Sequence, residues 1–368
     1  MLIALAALPV GIWMYLLLGR GGFWRIAAER AEPAPPRRVI AIIPARNEAA
    51  VIARALGSLS PQVAQIVLVD DGSTDGTADV ARTFGANVTV LDGKPLASGW
   101  TGKLWALAQG VEYAQPLAPD FLLFTDADIE HGPKSVAELV GVAEARQLDV
   151  ASYMVKLASI TAAEKTLIPA FVFFFLKLYP PAWTASSRSA TAGAAGGCIL
   201  IRPAALRGIG GLAAIRHEVI DDCALARAVK RNGGRIWMGL TRETCSIRSY
   251  GGFGAIARMI SRTAFNQLHH SILLLAGTVV ALLLTYLLPL LMLLTARPLP
   301  VLLGAIAWLL MSLAYVPMLR FYQRSPAWSL ALPLIALFYM GATLHSATQY
   351  WRGQGGEWKG RAQDVPVS

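Results

Sequence analysis

Phe121-Leu122-Leu123-Phe124 runs directly into Thr125-Asp126-Ala127-Asp128. A short apolar run closed by a turn reads as a buried strand. Two carboxylates, one residue apart, then stand at the strand's C-terminal end, the edge at which open α/β sheets bind ligands. Such a pair can hold a hard divalent cation, Mg2+ or Mn2+, and through it a diphosphate. Taken alone, the pattern also describes a strand that ends in an Asx turn. What surrounds it decides between the two.

Upstream, Val39-Ile40-Ala41-Ile42-Ile43 reads as a first strand ending in Pro44-Ala45-Arg46-Asn47-Glu48, with a helix starting near Glu48. Gln65-Ile66-Val67-Leu68-Val69 is a second, running into Asp70-Asp71-Gly72-Ser73-Thr74-Asp75-Gly76-Thr77 and another helix. Val88–Leu91 is a third strand, and a helix over 102–115 precedes the strand at 121–124. Downstream come a helix over 135–146, a strand over 150–154 and a strand over 198–201. Strands alternating with helices predict an α/β domain with a parallel sheet and crossover helices.

The chain has 368 residues, 55% of them hydrophobic, more than a purely soluble domain carries. The excess sits at the two ends. Residues 1–19 read as an uncleaved anchor, because Arg20, Arg25, Arg30, Arg37 and Arg38 follow it rather than precede it. Residues 20–37, with three prolines at 33–36, form a linker, and positive charge places the domain at 38–270 on the cytoplasmic side of the inner membrane. Segments 271–295 and 299–319 read as spans within a membrane region at 271–351. Segment 327–350 carries Thr343, His345, Thr348 and Gln349, and the basic tail over 352–368 favours its being non-crossing or re-entrant. Residues 166–183, with Lys177 and Pro180-Pro181, suit an interfacial helix or a buried core helix. The net charge of +10 is dispersed, so nucleic acid is not the expected partner. Anionic headgroups suit the juxtamembrane arginines better. Cys198, Cys223 and Cys245 lack metal-ligand spacing and read as idle thiols.

Further polar sites fall at element ends. A carboxylate after the second strand can reach a ribose or a base edge, or simply close a βα turn. Lys103 leads a helix and can meet a phosphate there, or be solvated. The small-residue loop 193–197 permits close approach to a ligand, or a tight turn. Asp221-Asp222 precede a helix at 223–231, where acids suit the macrodipole and can also raise one another's pKa toward that of a general base. Arg258 and Arg262 lie one helical turn apart and can face a diphosphate or snorkel. His217 precedes Asp221 by four residues and reads foremost as a surface histidine.

In this order the motifs resemble those of the membrane-bound family 2 glycosyltransferases with a GT-A fold, most similar to hopanoid-biosynthesis-associated members and more distantly to ceramide glucosyltransferases. The resemblance rests on Ile43–Glu48, Val69–Ser73, Asp126-Ala127-Asp128 and Asp221-Asp222. It implies that Asp71 contacts the nucleotide, with Pro44, Arg46 and Glu48 shaping that pocket. It implies Asp126 and Asp128 as the metal-binding pair, Lys103 near the donor diphosphate and Asp222 as general base. Two departures stand out: Asp221 replaces a Glu, and Arg258-Met259-Ile260-Ser261-Arg262-Thr263 lacks the Arg-Trp step of lipid-acting relatives. Glu357-Trp358-Lys359-Gly360-Arg361 resembles a segment kept near the active site.

The expected function is therefore inverting, metal-dependent transfer of a sugar from a nucleotide (UDP) sugar to a membrane lipid, with a hopanoid as the acceptor the resemblance suggests. Transfer to polyprenyl phosphate and an inactive scaffold with the same fold are the alternatives. A dinucleotide oxidoreductase is disfavoured, because no Gly-x-Gly-x-x-Gly follows the first strand.

Overall fold

The computed structural model describes residues 2–26, 32, 35–358 and 361–364, with backbone alone at 355–358 and 361–364. Part of the linker (27–31, 33 and 34, including Arg30) and Lys359-Gly360 of the tail lie outside the described residues. The centre is an eight-stranded sheet: β1 Val39–Ala45, β2 Gln65–Asp70, β3 Val88–Asp92, β4 Phe121–Thr125, β5 Ile129–Glu130, β6 Val150–Lys156, β7 Cys198–Ile201 and β8 Ile236–Ser246, in the order β3-β2-β1-β4-β7-β6-β8-β5. β1, β2, β3 and β4 are mutually parallel. The expectation of a parallel sheet fails beyond β4, since β7 runs antiparallel to both β4 and β6. The reversal follows from the chain reaching β7 through a long excursion, residues 157–197, rather than through a crossover helix.

The sheet is covered on both faces, which is why its central strands read as unbroken apolar runs. Val39, Ala41 and Ile43 of β1 join Leu68, Leu123 and Leu139 on one face, while Ile40 and Ile42 join Val67, Phe124, Leu107 and Leu225 on the other. Loops at the carboxyl ends of β1, β2 and β4 are left on one edge.

A third core fastens apolar helices to this sheet. Trp13, Phe173, Tyr315 and Tyr339 pack with Met238 and Leu240 of β8 and with Ile256 and Ile260 of the helix Phe253–Ser261. Among the described residues, four helical segments are long and apolar enough to cross a membrane, at 162–185, 272–293, 298–321 and 326–351, and the shorter apolar helix Leu2–Leu18 packs among them. The helix Ala162–Leu178 has both ends tied to the sheet domain. Glu164 accepts from Ser249 and Tyr250 at one end, and Tyr179 donates to Gln267 just beyond the other. A helix held that way lies along the domain at both ends.

The last segment also returns to the side it started from. Helix Pro298–Phe321 ends beside β8, where Arg242 stacks on Phe321 at 5.1 Å. The chain then drops back until the Leu330 carbonyl accepts from Trp308 Nε1 at 3.2 Å, about 20 Å below Phe321 by helical rise. From there helix Leu332–Trp351 climbs to the domain, where Ser261 donates to the Ala342 carbonyl at 3.0 Å and Ser346 meets the Phe265 amide at 3.0 Å. Both ends of 322–351 thus lie by the sheet. The tail beyond it forms two short antiparallel strands, Gly355–Trp358 and Arg361–Asp364.

Candidate active site

β4 delivers Asp126 and Asp128 to the carboxyl edge of the sheet. Thr125, the last residue of β4, donates to the Gly197 carbonyl at 2.8 Å and is 3.0 Å from His131 Nε2, so the turn that carries the two aspartates is braced from behind. Burial pushes His131 down to about 4, so it serves as a neutral hydrogen-bonding group.

Asp126 and Asp128 line one cavity of about 590 Å³ together with Pro44, Glu48, Lys103 and Asp221. That volume suits a ligand of nucleotide-sugar size. Arg258 and Arg262 form another wall of the same cavity, and neither is ion-paired among the described residues. They reach it together because Phe253–Ser261 is an amphipathic helix with Ile256 and Ile260 buried on its opposite stripe and Arg262 at its C-terminus.

Lys103 lies between three acids. Its ammonium is 2.9 Å from Asp126 Oδ1 and 3.3 Å from Asp221 Oδ2. Burial alone would depress it, but Asp126, Asp221 and Asp222 outweigh burial and hold it above its usual value, fully charged. Its place at the start of helix Gly102–Ala114 adds a positive helix end to the same corner.

Asp221 and Asp222 form the first turn of helix Asp221–Arg231 rather than preceding it. Both border one crevice, and only Asp221 also reaches the large cavity. Asp221 lines the large cavity, whereas Asp222 lines an adjoining crevice of about 10 Å³ shared with Lys103, Asp126 and Asp221, room for about one water. Gly196 N donates to Asp222 Oδ2 at 2.8 Å and Cys223 N to Oδ1 at 2.7 Å. A Cβ at Gly196 would stand 3.3 Å from both Asp222 Oδ2 and Lys103 Nζ, so the small-residue loop keeps close approach to these two side chains. Burial, and then the charge of Asp221, push Asp222 up to about 6 against the opposing pull of Lys103.

Arg46 and Asp71 stand apart from the cavity lining. Arg46 donates to the Asp71 carbonyl and its Nη1 lies 3.6 Å from Asp71 Oδ2, which fixes the turn at Gly72, where φ is +69°. The structure therefore does not gather Asp71 into one cavity with the other acids. It is buried beneath its own loop at the end of β2. Glu48 does line the cavity, but Arg248 holds it in an ion pair and also lies 3.6 Å from Asp128 Oδ2.

Arg248, Tyr250, Glu218, His345 and Gln349 line the cavity and were missed from sequence. Arg248 and Tyr250 follow β8, the longest strand, which was not anticipated. His345 and Gln349, 3.2 Å apart, sit on an apolar helix whose polar residues were the only signal. His217 is a surface side chain, 72% exposed. The loop bearing Arg248 and Tyr250 hangs on Glu164, a wholly buried carboxylate. It accepts from Ile160 N, Thr161 N and Ser249 Oγ at 2.8 Å each and from Tyr250 N at 2.6 Å. Glu164→Gln should cost about 1–3 kcal/mol by opposing donors to donors. It should also raise the donor KM while leaving kcat closer to wild type. A thermal melt in detergent and a donor titration would check both.

Residues 40–210 match the model described as glycosyl transferase family 2. Over this stretch, somewhat under half of the chain, the sequence is similar to family 2 glycosyltransferases, and the sheet and its helices have the GT-A fold. The domain is 34% identical over 121 residues to a 4,4'-diaponeurosporenoate glycosyltransferase of Staphylococcus haemolyticus, 32% of each chain. It is 42% identical over 100 residues to one of Staphylococcus aureus, 26% of this chain and 25% of that protein. The matched part of the chain thus spans about a third or less of these relatives' length. Among solved structures, the mannosyltransferase PcManGT of Pyrobaculum calidifontis, in complex with GDP-Man and Mn2+, shares the fold with a TM-score of 0.52 at 18% identity, over 95% of this chain and 98% of that one.

Proposed function

We infer that the protein transfers a sugar from a nucleotide diphosphate sugar, a UDP-sugar, to a lipid acceptor at the cytoplasmic face of a membrane. One observation carries the reading: Asp126, Asp128, Asp221 and Lys103 share a single cavity with Arg258 and Arg262 and with His345 and Gln349 of a membrane-region helix. A polar donor site that opens against apolar helices suits a polar donor and an amphiphilic acceptor. The names of the staphylococcal relatives, which couple glycosyl transfer to a lipid-like molecule, support the acceptor class. A hopanoid remains the acceptor that the sequence resemblance suggests. In this reading helices 2–18, 272–293 and 298–321 cross the bilayer, 322–351 re-enters it, and the basic tail stays with the catalytic domain.

Asp126 and Asp128 fit a divalent ion. Both line the cavity, and among the described residues no cluster of three His, Cys, Asp or Glu side chains could enclose one. Mg2+ or Mn2+ held by two carboxylates, substrate phosphates and water is the ordinary arrangement for such an ion. When bound, it neutralises charge on the departing diphosphate. Lys103, Arg258 and Arg262 supply further positive charge from the protein. Asp222 takes the acceptor proton, and its raised pKa suits it to that task. A single base and a diphosphate leaving group suit inversion. A second reading gives the base role to Asp221, because Asp221 and not Asp222 lines the large cavity.

The pH profile tests the base. Asp222 must be ionised to accept a proton, so kcat/KM should be full above about 6 and fall below it, about tenfold per pH unit. Asp221→Asn removes the neighbouring charge and should move that acidic limb to lower pH. An unmoved limb would show that Asp221 does not tune the base. Acceptor and donor are read together by offering a panel of nucleotide sugars to total membrane lipid and identifying the product by mass spectrometry. No product from any donor would favour a scaffold, and a phosphodiester-linked product would favour a polyprenyl phosphate acceptor.

A further inference from the structure

Lys177 is the only charged residue between Lys165 and Arg188. It sits near the end of helix Ala162–Leu178, on the side packed against the apolar helices. Its ammonium donates to Tyr286 Oη at 2.8 Å and lies over the rings of Phe174 and Tyr286, at 5.2 and 4.9 Å from their centroids. No carboxylate among the described residues pairs with it, and an ammonium has three protons to place. Arg20 lies alongside. It donates to the carbonyls of Lys177 at 3.1 Å and Leu178 at 3.4 Å, and stacks on Trp183 at 4.7 Å. It too lacks an ion pair among the described residues. Arg25 follows in the next turn, over Trp24 at 5.3 Å.

Unneutralised cations at the edge of an apolar helix cluster are costly unless an anion arrives from outside. The surroundings say which. Trp183 under Arg20 and Trp24 under Arg25 are aromatic partners of the kind found at headgroup level. Leu18 and Leu178, 75% and 47% exposed, stand on either side of the cations and offer apolar surface to acyl chains. We propose that Arg20 and Lys177, with Arg25 beside them, form a binding site for the headgroup of an anionic phospholipid. The site lies where the N-terminal helix meets helix Ala162–Leu178. The bound lipid would clamp these two elements and so set how the catalytic domain sits on the membrane.

The test uses the full chain in neutral detergent, titrated in parallel with phosphatidylglycerol, phosphatidylcholine and inorganic phosphate, with the melting midpoint as readout. Phosphatidylglycerol should raise the midpoint by about 2–4 °C, and neither of the others should. Lys177→Met keeps the packing and removes the charge, so it should abolish the shift, as should Arg20→Gln. Lys177→Arg should keep it, and Arg297→Gln, in the exposed turn between helices 272–293 and 298–321, should leave it intact. An equal shift with phosphatidylcholine, a shift with phosphate alone, or an undiminished shift in Arg20→Gln and Lys177→Met would overturn the proposal. If Lys177→Met does not fold, the contrast between Arg20→Gln and Lys177→Arg decides.

Discussion

Asp222→Asn is expected to lower turnover by roughly 10²–10⁴-fold, the usual worth of a positioned general base, with donor affinity close to wild type. An interaction made only in the transition state shows in kcat and kcat/KM together and not in ground-state binding. The substitution is nearly isosteric. Both backbone amides that hold Asp222, from Gly196 and Cys223, find an acceptor in a carboxylate, and the Asn side chain retains one oxygen. Asn cannot take a proton at working pH. Asp221→Asn is the matched control. If Asp222 is the base, Asp221→Asn should leave most of the turnover, shift the pH profile and loosen Lys103, which it holds at 3.3 Å. If Asp221→Asn abolishes transfer and Asp222→Asn does not, the roles are reversed, as the lining of the large cavity would suggest. Calorimetric donor binding beside steady-state turnover, on both variants, separates the outcomes.

Asp128→Ala should cost at least about tenfold in donor affinity measured with Mn2+ present, an effect on the scale of disturbed metal sites, and little in its absence. Asp126 and Asp128 are the acidic side chains of the turn that follows β4, and no group of three His, Cys, Asp or Glu side chains among the described residues offers an alternative site for the ion. Asp128 also receives Ser246 Oγ at 3.0 Å and lies 3.6 Å from Arg248 Nε, so its orientation is set from β8. Loss of the carboxylate leaves Arg248 with Glu48 and adds positive charge to the cavity. Affinity without metal should then hold or rise slightly. That asymmetry distinguishes loss of an ion ligand from general damage, which would weaken binding in both conditions. An unchanged gain from Mn2+ in the variant would remove Asp128 from the metal role.

The two experiments probe different contacts. Asp222 is held by backbone amides on the loop before β7 and on helix Asp221–Arg231, whereas Asp128 is held by side chains of β8 and the segment after it. Effects at sites without shared partners add, so the double variant should show the product of the two losses.

The sequence by itself determined the four parallel strands, because a strand buried on both faces must be apolar throughout and must end in turn-forming polar residues. Phe121–Phe124 followed by Asp-Ala-Asp obeys that rule, and so do Val39–Ile43 and Gln65–Val69. The placement of Asp126 and Asp128 at the sheet's edge followed from chain order alone. The tertiary structure alone decided which carboxylates meet. Adjacent residues at the start of a helix point about 100° apart, so Asp221 reaches the large cavity while Asp222 lines only the crevice beside it, a difference that no spacing rule reveals. It alone drew Asp71 away under Arg46, brought Arg248 from beyond β8, and set His345 and Gln349 of an apolar helix against the cavity. Those contacts join residues far apart in the chain, 25 positions for Arg46 and Asp71 and 118 for Ser246 and Asp128 beside Arg248, and local pattern carries no record of them.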